Sequence, residues 1–444
     1  MDAAASSSPR PDTAAEQRAF DAIEAGRDEL TGLAATLIGF DTVTREGRGR
    51  ARQERDLQEC LAGQLREGGV EVDLWEPAPG SVPGSRQAPA DLNWAGYPQL
   101  LGRLRGSGGG RSLLLNGHID VVSPEPRQAW AMDPFRAEVR DGLLYGRGAA
   151  DMKGGVACIV YAAQTLARCG IRLDGDLLIS AVTDEESTSA GTLATLARGI
   201  SADACIVAEP SALQIGIACR GSLMPSVRVR GRAGHASAVQ PHWREGGAVS
   251  AAEKAAQVVE AVVALREAWR DDPAQRHPYL PPGTVVVTAL EAGQWENSYA
   301  DEARIDCHIS YLPTHADADG YGREVEREFT SWVQRYAAAD PWLAEHPPEV
   351  SWSLDVPPSE VPPGEPVVGV LQGALTDLGR PAPLTGTGYW NDGASFTRAG
   401  IPSVVFGPGE VAFAHGVDEH VPIDDLVTTA QALALTAMRF CARA

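Results

Sequence analysis

The sequence predicts an α/β fold: an open mixed sheet forms the larger domain, and a smaller α+β domain of the ferredoxin-like type is inserted into it. Three observations support this prediction. Apolar, strand-like runs alternate with amphipathic helical segments, several runs end in acidic residues, and the order of elements changes between residues 216 and 356. Alternating strands and helices are typical of a sheet covered by helices, and a length of 444 residues suits two domains with separate cores.

The larger domain is predicted to comprise residues 16–215 and 357–444, after a disordered tail at residues 1–15. Apolar residues recur at roughly helical spacing over residues 15–40 and every four positions over 52–68, so both segments are predicted helices. The further elements predicted for this domain are strands in VEVDLW (70–75), on either side of the glycine-rich turn in LLGRLRGSGGGRSLLLNGHID (100–120), in DLLISAVTDEES (176–187), in ADACIVAEPS (202–211) and in GIPSVVFGPGE (400–410), with helices over about 153–168 and 424–441.

The inserted domain is predicted to span residues 216–356 and to act as a unit of its own. Its elements follow the order strand, helix, strand, strand, helix, strand, which defines a small independent domain. They are predicted at SLMPSVRVRGRA (222–233), 246–267, GTVVVTAL (283–290), ARIDCHISYLP (303–313), 320–337 and EVSWSL (349–354).

The composition excludes several classes of function. A formal charge of −21 argues against binding to nucleic acid or to an anionic membrane, because either partner would need a basic surface. The seven cysteines are scattered and never form a C-x-x-C pair, which indicates buried thiols in a reducing, cytoplasmic compartment. The N-terminus lacks the pattern of a signal peptide, and no apolar run is long enough for a transmembrane helix.

Acidic and histidine residues lie where the predicted strands of the larger domain end. Three runs finish in GHID, TDEES and AEP, and the loop segments GRGAAD and AFAHGVDEH carry a further acid and a further histidine. Because ligands of open α/β sheets bind outside the carboxyl ends of the strands, we expect these side chains to converge there. The expected group is His118, Asp120, Asp151, Asp184, Glu185, Glu186, Glu209 and His415.

Such a group points to bound metal. Each member alone has an ordinary explanation, since acids cap turns and helix N-termini and a single histidine is more often structural than a ligand. Several carboxylates so near one another, however, would repel each other strongly unless cations neutralised them. Histidine and carboxylate without thiolate suit zinc, with cobalt or manganese as substitutes, in a catalytic site.

Six motifs carry a resemblance to a known family. In order along the chain, LLLNGHIDVV, LYGRGAADMKGG, VTDEES, VAEP, GRAGHAS and GPGEVAFAHGVDEHV resemble those of the two-zinc amidohydrolases and metallopeptidases that include acetylornithine deacetylase, succinyl-diaminopimelate desuccinylase, aminoacylase and carboxypeptidase G. The resemblance covers the chain after residue 15. It implies hydrolysis of an amide bond in a small N-acylated amine or amino acid, two divalent metal ions per chain, and a homodimer formed through the inserted lid domain.

The resemblance also implies metal ligands at five matching positions. Asp151 would bridge the two ions. His118 and Glu209 would complete the protein ligands of one ion, and Glu186 with His415 those of the other.

Four further residues receive roles from the resemblance or from their spacing. Glu185 is implied to be the general base that takes a proton from the attacking water and delivers it to the leaving amine. Asp120 lies two residues along a strand from the ligand His118, hence on the same face, where its carboxylate is expected to accept the other imidazole N–H. His235 resembles a lid histidine that reaches the partner subunit's site to hold the developing oxyanion, and Asn297 resembles a lid asparagine that touches substrate.

One position departs from the family pattern. Family members that cleave N-acyl α-amino acids usually carry an arginine three residues before the proline of the last lid strand, where it pairs with the α-carboxylate. In CHISYLP that position is Ser310, and a hydroxyl cannot replace a guanidinium. Arg220, in ACRGSL, is the candidate replacement, so the identity of the substrate stays open.

The sequence leaves one alternative function within the family open and disfavours others. A dipeptidase or carboxypeptidase of the same family would use the same ligands. A non-catalytic, metal-free binding protein is disfavoured because every expected ligand and base position is filled. A serine hydrolase lacks support, since no G-x-S-x-G occurs, and GRGAADMKGG lacks the Gly-Lys-Ser/Thr ending of a phosphate loop.

Overall fold

The computed structural model describes residues 13–44, 52–89 and 91–443. The predicted tail lies mostly outside the described residues, but its last three positions belong to the first helix, which begins at Thr13. Ala15 and Ala19 of that helix are buried, so packing extends the helix to its N-terminal end.

The described helices and strands follow one another in an α/β order. The helices are α1 (Thr13–Ala25), α2 (Arg27–Ile38), α3 (Glu54–Glu67), α4 (Lys153–Arg168), α5 (Glu185–Thr188), α6 (Ala190–Ala197), α7 (Ala251–Asp271), α8 (Arg323–Ala337), α9 (Pro341–Glu345), α10 (Pro366–Asp377), α11 (Gly393–Arg398) and α12 (Ile423–Phe440). The strands are β1 (Glu71–Trp75), β2 (Gln99–Leu104), β3 (Leu113–His118), β4 (Glu138–Arg140), β5 (Leu143–Tyr145), β6 (Leu177–Val182), β7 (Ala204–Val207), β8 (Ile215–Cys219), β9 (Gly221–Arg230), β10 (Thr284–Ala292), β11 (Glu302–Tyr311), β12 (Glu349–Val356), β13 (Ser359–Glu360), β14 (Leu384–Thr387), β15 (Ser403–Val405) and β16 (His420–Pro422).

The chain divides into two compact units. The larger unit comprises residues 1–218, 360–387 and 391–444, and the smaller unit comprises residues 219–359 and 388–390.

The larger unit is built on a mixed sheet with the strand order β1-β2-β6-β3-β7-β15-β8-β13, and β14 also pairs with β8. Strands β6, β3, β7 and β15 run parallel, whereas β1 and β2 pair antiparallel at one side. One group of helices packs together through α4 and α12, and a second group comprises α5, α6 and α11. Every residue of β3, β6 and β7 is buried, as expected for parallel strands covered on both faces. A small second sheet, β16-β5-β4, completes this unit.

The smaller unit has a four-stranded antiparallel sheet in the order β10-β11-β9-β12. Together with α7 and α8, which follow the first and third of its strands in the sequence, this is the ferredoxin-like arrangement that the element order predicted. Alternate residues of β9 and β11 are buried with one face of α7 and α8, and Phe329 and Trp269 belong to this core.

Two sequence-based expectations about local structure were wrong in detail. The predicted helix over 15–40 is two helices, α1 and α2, which meet at Gly26, where any side chain would collide with the Tyr161 hydroxyl. The two strands predicted on either side of the glycine-rich turn are both present, and β6 lies between them in the sheet. The first helix of the inserted domain starts at Ala251 rather than 246, because the Ser250 hydroxyl caps it by accepting the Glu253 N–H.

None of the described helices combines the length and the apolar character needed to span a bilayer. The seven cysteines, all of which lie within the described residues, form no disulfide bond.

Candidate metal centre

Three neighbouring parallel strands of the larger unit end at the same edge of the sheet. Strand β3 lies between β6 and β7 and pairs in parallel with both. His118 is the last residue of β3, Glu185 and Glu186 follow the end of β6, and Glu209 follows the end of β7. The buried apolar strands therefore deliver four polar side chains to one place, although each side chain alone would be costly to bury.

Asp151 connects two histidines through its two carboxylate oxygens. Its Oδ1 lies 3.0 Å from Nε2 of His118, and its Oδ2 lies 3.2 Å from Nε2 of His415. A carboxylate whose oxygens face two different imidazoles is suited to bridge two cations. His415 itself has a φ of 59°, in the left-handed region that residues other than glycine rarely adopt, and strained backbone of this kind clusters at functional sites.

Two glutamates complete one group of donors around each histidine. Oε1 of Glu209 lies 3.5 Å from Nε2 of His118, and Oε2 of Glu186 lies 3.1 Å from Nε2 of His415. The structure thus brings together all five residues for which the resemblance implied a ligand role. They form two groups that share Asp151.

Glu185 lies beside the first of these groups. Its side chain is buried, and its Oε2 lies 3.9 Å from Nε2 of His118. The other oxygen, Oε1, is buried without a hydrogen-bond partner among the described residues, as is Oε1 of Glu186. Buried carboxylate oxygens without partners are rare in folded proteins, and they fit a site that takes up cations and water.

The carboxylates have strongly perturbed acidities. Burial raises the pKa of Glu185 and of Glu209 well above the usual range for a glutamate. Burial acts in the same direction on Asp151, but hydrogen bonds from His118 and His415 overcome it and hold the pKa of Asp151 below its usual range.

The histidines show the complementary effect. Burial alone would lower the pKa of both imidazoles, but the neighbouring carboxylates prevail. Glu209 and Asp151 raise the pKa of His118 well above its usual value, and hydrogen bonds to Asp151 and Glu186 raise the pKa of His415 to about 11. The site is therefore strongly attractive to positive charge.

The donor set fits two divalent cations. Four carboxylates and two imidazoles meet at this site, and the acids raise the pKa of both histidines, so the group favours added positive charge. Nitrogen and oxygen donors without thiolate suit zinc and its usual substitutes in a catalytic site. His118, Asp151 and Glu209 would hold one ion, and Asp151, Glu186 and His415 would hold the other.

The prediction for the Asp120 carboxylate was wrong. Nδ1 of His118 hydrogen-bonds to the backbone carbonyl oxygen of Asp120 at 2.9 Å, whereas the carboxylate oxygen Oδ1 lies 3.8 Å away. The carboxylate instead accepts the backbone N–H of Glu185 at 3.1 Å and that of Glu186 at 3.2 Å. The turn after β6 presents these two N–H groups to Asp120, and they capture its charge.

Asp184 was expected to converge with the ligands, but its carboxylate is used locally. It accepts a hydrogen bond from the Thr188 hydroxyl, one turn further along the chain. Asp184 adopts a φ of 68°, and this left-handed conformation turns the chain between β6 and α5. Asp184 thus shapes the segment that carries Glu185 and Glu186.

Of the buried charged residues that the sequence did not single out, three are linked to the site. Asp392 immediately precedes α11, and burial raises its pKa to about 7. Its carboxylate also contributes to the raised pKa values of Glu185 and Glu209. Arg147 and Glu419 form a buried ion pair. Arg147 lies in the motif GRGAAD and Glu419 in the motif AFAHGVDEH, so their positions close to proposed ligands could have identified them from the sequence. Asp392 lies in none of the motifs.

The predicted lid residues lie in the smaller unit. His235 and Asn297 are exposed and adjacent: a β-bridge joins His235 to Ser298, and the Asn297 carbonyl accepts the Ala236 N–H at 2.9 Å. Nδ1 of His235 accepts the Ser237 N–H at 3.1 Å, which leaves Nε2 as the ring nitrogen at the outer end of the side chain.

Arg220 and Ser310 also belong to the smaller unit. The guanidinium of Arg220 donates twice to the carbonyl of Gly388, at 2.8 and 2.5 Å, and once to that of Pro282, at 2.8 Å. No ion pair joins it to an acid of the described residues. Ser310 is buried in β11, in register with Ser222 of β9.

Comparison with known proteins relates this chain to one family. A family model described as peptidase family M20/M25/M40 matches residues 114–439. The chain is 30% identical over 439 residues to the N-formyl-4-amino-5-aminomethyl-2-methylpyrimidine deformylase of Bacillus subtilis, with 95% of this chain and 96% of the relative covered. It is 30% identical over 412 residues to a succinyl-diaminopimelate desuccinylase of Stenotrophomonas maltophilia, with 89% and 94% covered.

Solved structures with the same fold include peptidases. Human carnosine dipeptidase 1 superimposes with a TM-score of 0.75 at 16% identity and covers 97% of this chain and 100% of its own. A dinuclear metal-binding peptidase of the M20 family from Bacillus subtilis gives a TM-score of 0.62 at 14% identity, with 94% and 98% covered.

Proposed function

The chain belongs to peptidase family M20/M25/M40 and is a metal-dependent hydrolase of amide bonds; we propose that it uses two divalent ions, zinc in the first instance, to deacylate a small N-acylated amine. One observation carries the proposal. The two carboxylate oxygens of Asp151 face two different histidines, and a glutamate stands beside each histidine. This is the donor arrangement that a pair of divalent cations needs.

The residues around the centre support a hydrolytic role. When bound, the ions would supply positive charge that polarises an amide carbonyl and makes water more acidic. Glu185 is the proposed general base, which accepts the proton of the attacking water and returns it to the leaving amine. Within the part of the chain that the structure describes, one oxygen of its buried carboxylate has no hydrogen-bond partner and is available for this proton. Asp120 holds the backbone of Glu185 in place through the N–H contact described above.

We infer that the amine half of the substrate carries no α-carboxylate. Three observations support this inference. Ser310 offers no guanidinium where a carboxylate anchor was expected, and three N–H groups of Arg220 already donate to backbone carbonyls. A deformylase of an aminomethylpyrimidine, which acts on an N-formyl compound, matches the chain over nearly its full length. The proposed substrate class is therefore an N-formyl or other short N-acyl amine.

A dipeptidase or desuccinylase is the second candidate. A succinyl-diaminopimelate desuccinylase has the same identity to the chain, 30%, over a shorter stretch of 412 residues, and a dipeptidase shares the fold. Both would need a group that recognises a carboxylate, and Arg220 is the candidate in the smaller unit. A metal-free binding protein is disfavoured because no expected ligand is missing.

We also propose a homodimer formed through the smaller unit, in which His235 and Asn297 of one subunit serve the site of the other. The exposure of both side chains and their adjacency support this role. The cytoplasmic location stays a prediction from the cysteine pattern of the sequence.

The deciding experiment is a substrate panel. Protein stripped of metal and reloaded with zinc or cobalt would be assayed against matched N-formyl, N-acetyl and N-succinyl amines and against dipeptides, with Asp151→Ala as the control for contaminating activity. We expect the short N-acyl amines to be cleaved with the highest kcat/KM. Cleavage of dipeptides alone would assign the chain to the second candidate, and no cleavage of any amide by the loaded protein would contradict the proposed function.

A further inference from the structure

Glu419 lies four residues after His415, at the end of the same loop. Its side chain is buried, with a relative exposure of 1%. One carboxylate oxygen, Oε1, accepts two successive backbone N–H groups, that of Ala150 at 2.9 Å and that of Asp151 at 3.0 Å. A carboxylate of the loop that carries one histidine thus holds the backbone of the acid that faces this histidine.

The second oxygen of Glu419 binds a counter-ion. Nη1 of Arg147 donates to Oε2 at 2.5 Å, and both side chains are buried. The backbone adds a further link, because the Gly146 N–H donates to the Glu419 carbonyl at 2.9 Å. Four hydrogen bonds therefore tie Glu419 to the short segment 146–151, which leads to Asp151.

Arg147 is itself held from the far side. Its guanidinium lies over the ring of Trp130, 5.1 Å from the ring centroid, and its Nη2 donates to the carbonyl of Ser123 at 3.4 Å. A charge that is positioned on both sides is a rigid partner for a buried carboxylate. The ion pair of Arg147 and Glu419 thus links two loops that are far apart in the sequence.

We propose that Glu419, with Arg147 as its counter-ion, is a positioning residue that holds Asp151 and His415 at the separation a metal ion requires. The inference rests on the proposed function in so far as Asp151 and His415 are ligands. The backbone N–H of Asp151 donates to the Glu419 carboxylate, and His415 lies in the loop whose last residue is Glu419. Loss of the ion pair would let Asp151 and His415 move apart, although every proposed ligand would still be present.

A purely structural role is the alternative, and the chain offers a matched control. Arg439 donates from Nε and Nη2 to the two oxygens of Glu16, both at 2.8 Å, and its Nη2 also lies 2.8 Å from Oδ2 of Asp377. The side chains of Arg439 and Glu16 are only 18% and 11% exposed, so this is also a largely buried, bidentate pair. It joins α12 to α1 in the larger unit and touches none of the proposed ligands. Glu16→Gln should therefore cost stability and leave the metal centre unchanged.

The test measures metal affinity and does not depend on turnover. Metal-free wild type, Glu419→Gln and Glu16→Gln would be titrated with zinc and with cobalt in competition with a chromophoric chelator. We expect Glu419→Gln to bind metal about 10- to 100-fold more weakly, the usual effect of removing a group that orients a ligand. The metal affinity of Glu16→Gln should stay within about twofold of wild type, even if its Tm falls as much as that of Glu419→Gln. Amide hydrogen exchange of residues 146–152 should be faster in Glu419→Gln alone.

Two results would overturn the inference: wild-type metal affinity in folded Glu419→Gln, or an equal loss of affinity in Glu16→Gln. If Glu419→Gln does not fold, Arg147→Lys takes its place, since it keeps the positive charge but loses the guanidinium geometry; the same criterion applies, with a smaller loss expected. Wild-type protein that binds metal but cleaves no amide would contradict the proposed substrate class and leave this inference standing.

Discussion

Nδ1 of His118 donates to the backbone carbonyl of Asp120 at 2.9 Å, and Nε2 is thereby directed at Asp151. A main-chain carbonyl, which no substitution removes, fixes the tautomer of this proposed ligand. The Asp120 carboxylate does different work, since it accepts the backbone N–H groups of Glu185 and Glu186. It therefore positions the proposed base and the ligand next to it.

Asp120→Ala should separate these two roles. We expect kcat to fall by roughly two orders of magnitude, because Glu185 loses its backbone anchor, while metal affinity falls less than about tenfold, because the His118 tautomer is kept. The comparison is a metal titration and steady-state kinetics of Asp120→Ala beside His118→Ala. If both variants lose metal affinity equally, the carboxylate also orients the imidazole.

Asp151→Ala should remove the bridge between the two groups of donors. We expect wild-type protein to contain about two divalent ions per chain, and the variant to lose both metal and activity. Elemental analysis of purified protein checks this, with Asp21→Ala on the exposed face of α1 as a control that keeps metal. Active wild-type protein without any transition metal would disprove the two-metal proposal.

Glu185→Gln should keep the metal content of the protein and lose most of its turnover. The amide keeps the shape of the side chain but cannot take a proton from water, so turnover should fall by roughly two to four decades at near wild-type metal content. Metal analysis and kcat measured on the same preparation test this. Wild-type turnover in the variant would require another residue to act as the base.

The proposed dimer predicts complementation between two inactive variants. An equal mixture of Glu185→Gln and His235→Ala subunits should regain about a quarter of wild-type activity, because half of randomly paired dimers are mixed and each has one intact site. Glu185→Gln mixed with Asp151→Ala is the control, since both residues are proposed to come from the same chain, and it should stay inactive. An active monomer in sedimentation would remove the basis for the prediction.

Ser310 predicts weak selection for an α-carboxylate. A charge-assisted, bidentate contact is worth a few kcal/mol, so in its absence kcat/KM for matched N-acyl amines with and without the carboxylate should agree within about tenfold. If Arg220 serves as a relocated anchor, a strong preference should appear in wild type and vanish in Arg220→Ala. A preference that survives Arg220→Ala would mean that another group binds the carboxylate.

Local sequence patterns were sufficient for most helices and strands of both units. The alternation of buried residues in β9 and β11 and the apolar runs of β3, β6 and β7 are properties of a few consecutive residues. The break at Gly26 was missed, as was the close approach of the Tyr161 hydroxyl to this glycine, because Tyr161 is far away in the sequence. The position of β6 between β2 and β3 is likewise a long-range pairing that the glycine-rich turn does not reveal.

The sequence by itself determined the chemistry of the site: which residue types are present, and that acids and histidines follow strand ends. Only the tertiary structure decided which atoms meet. The N–H of Asp151 donates to Glu419, 268 positions along the chain. The Asp120 carboxylate accepts the N–H groups of Glu185 and Glu186, which are 65 and 66 positions away. Burial obliges each polar group to find a partner, but the partner is chosen by proximity in the folded chain, and no local pattern records that proximity.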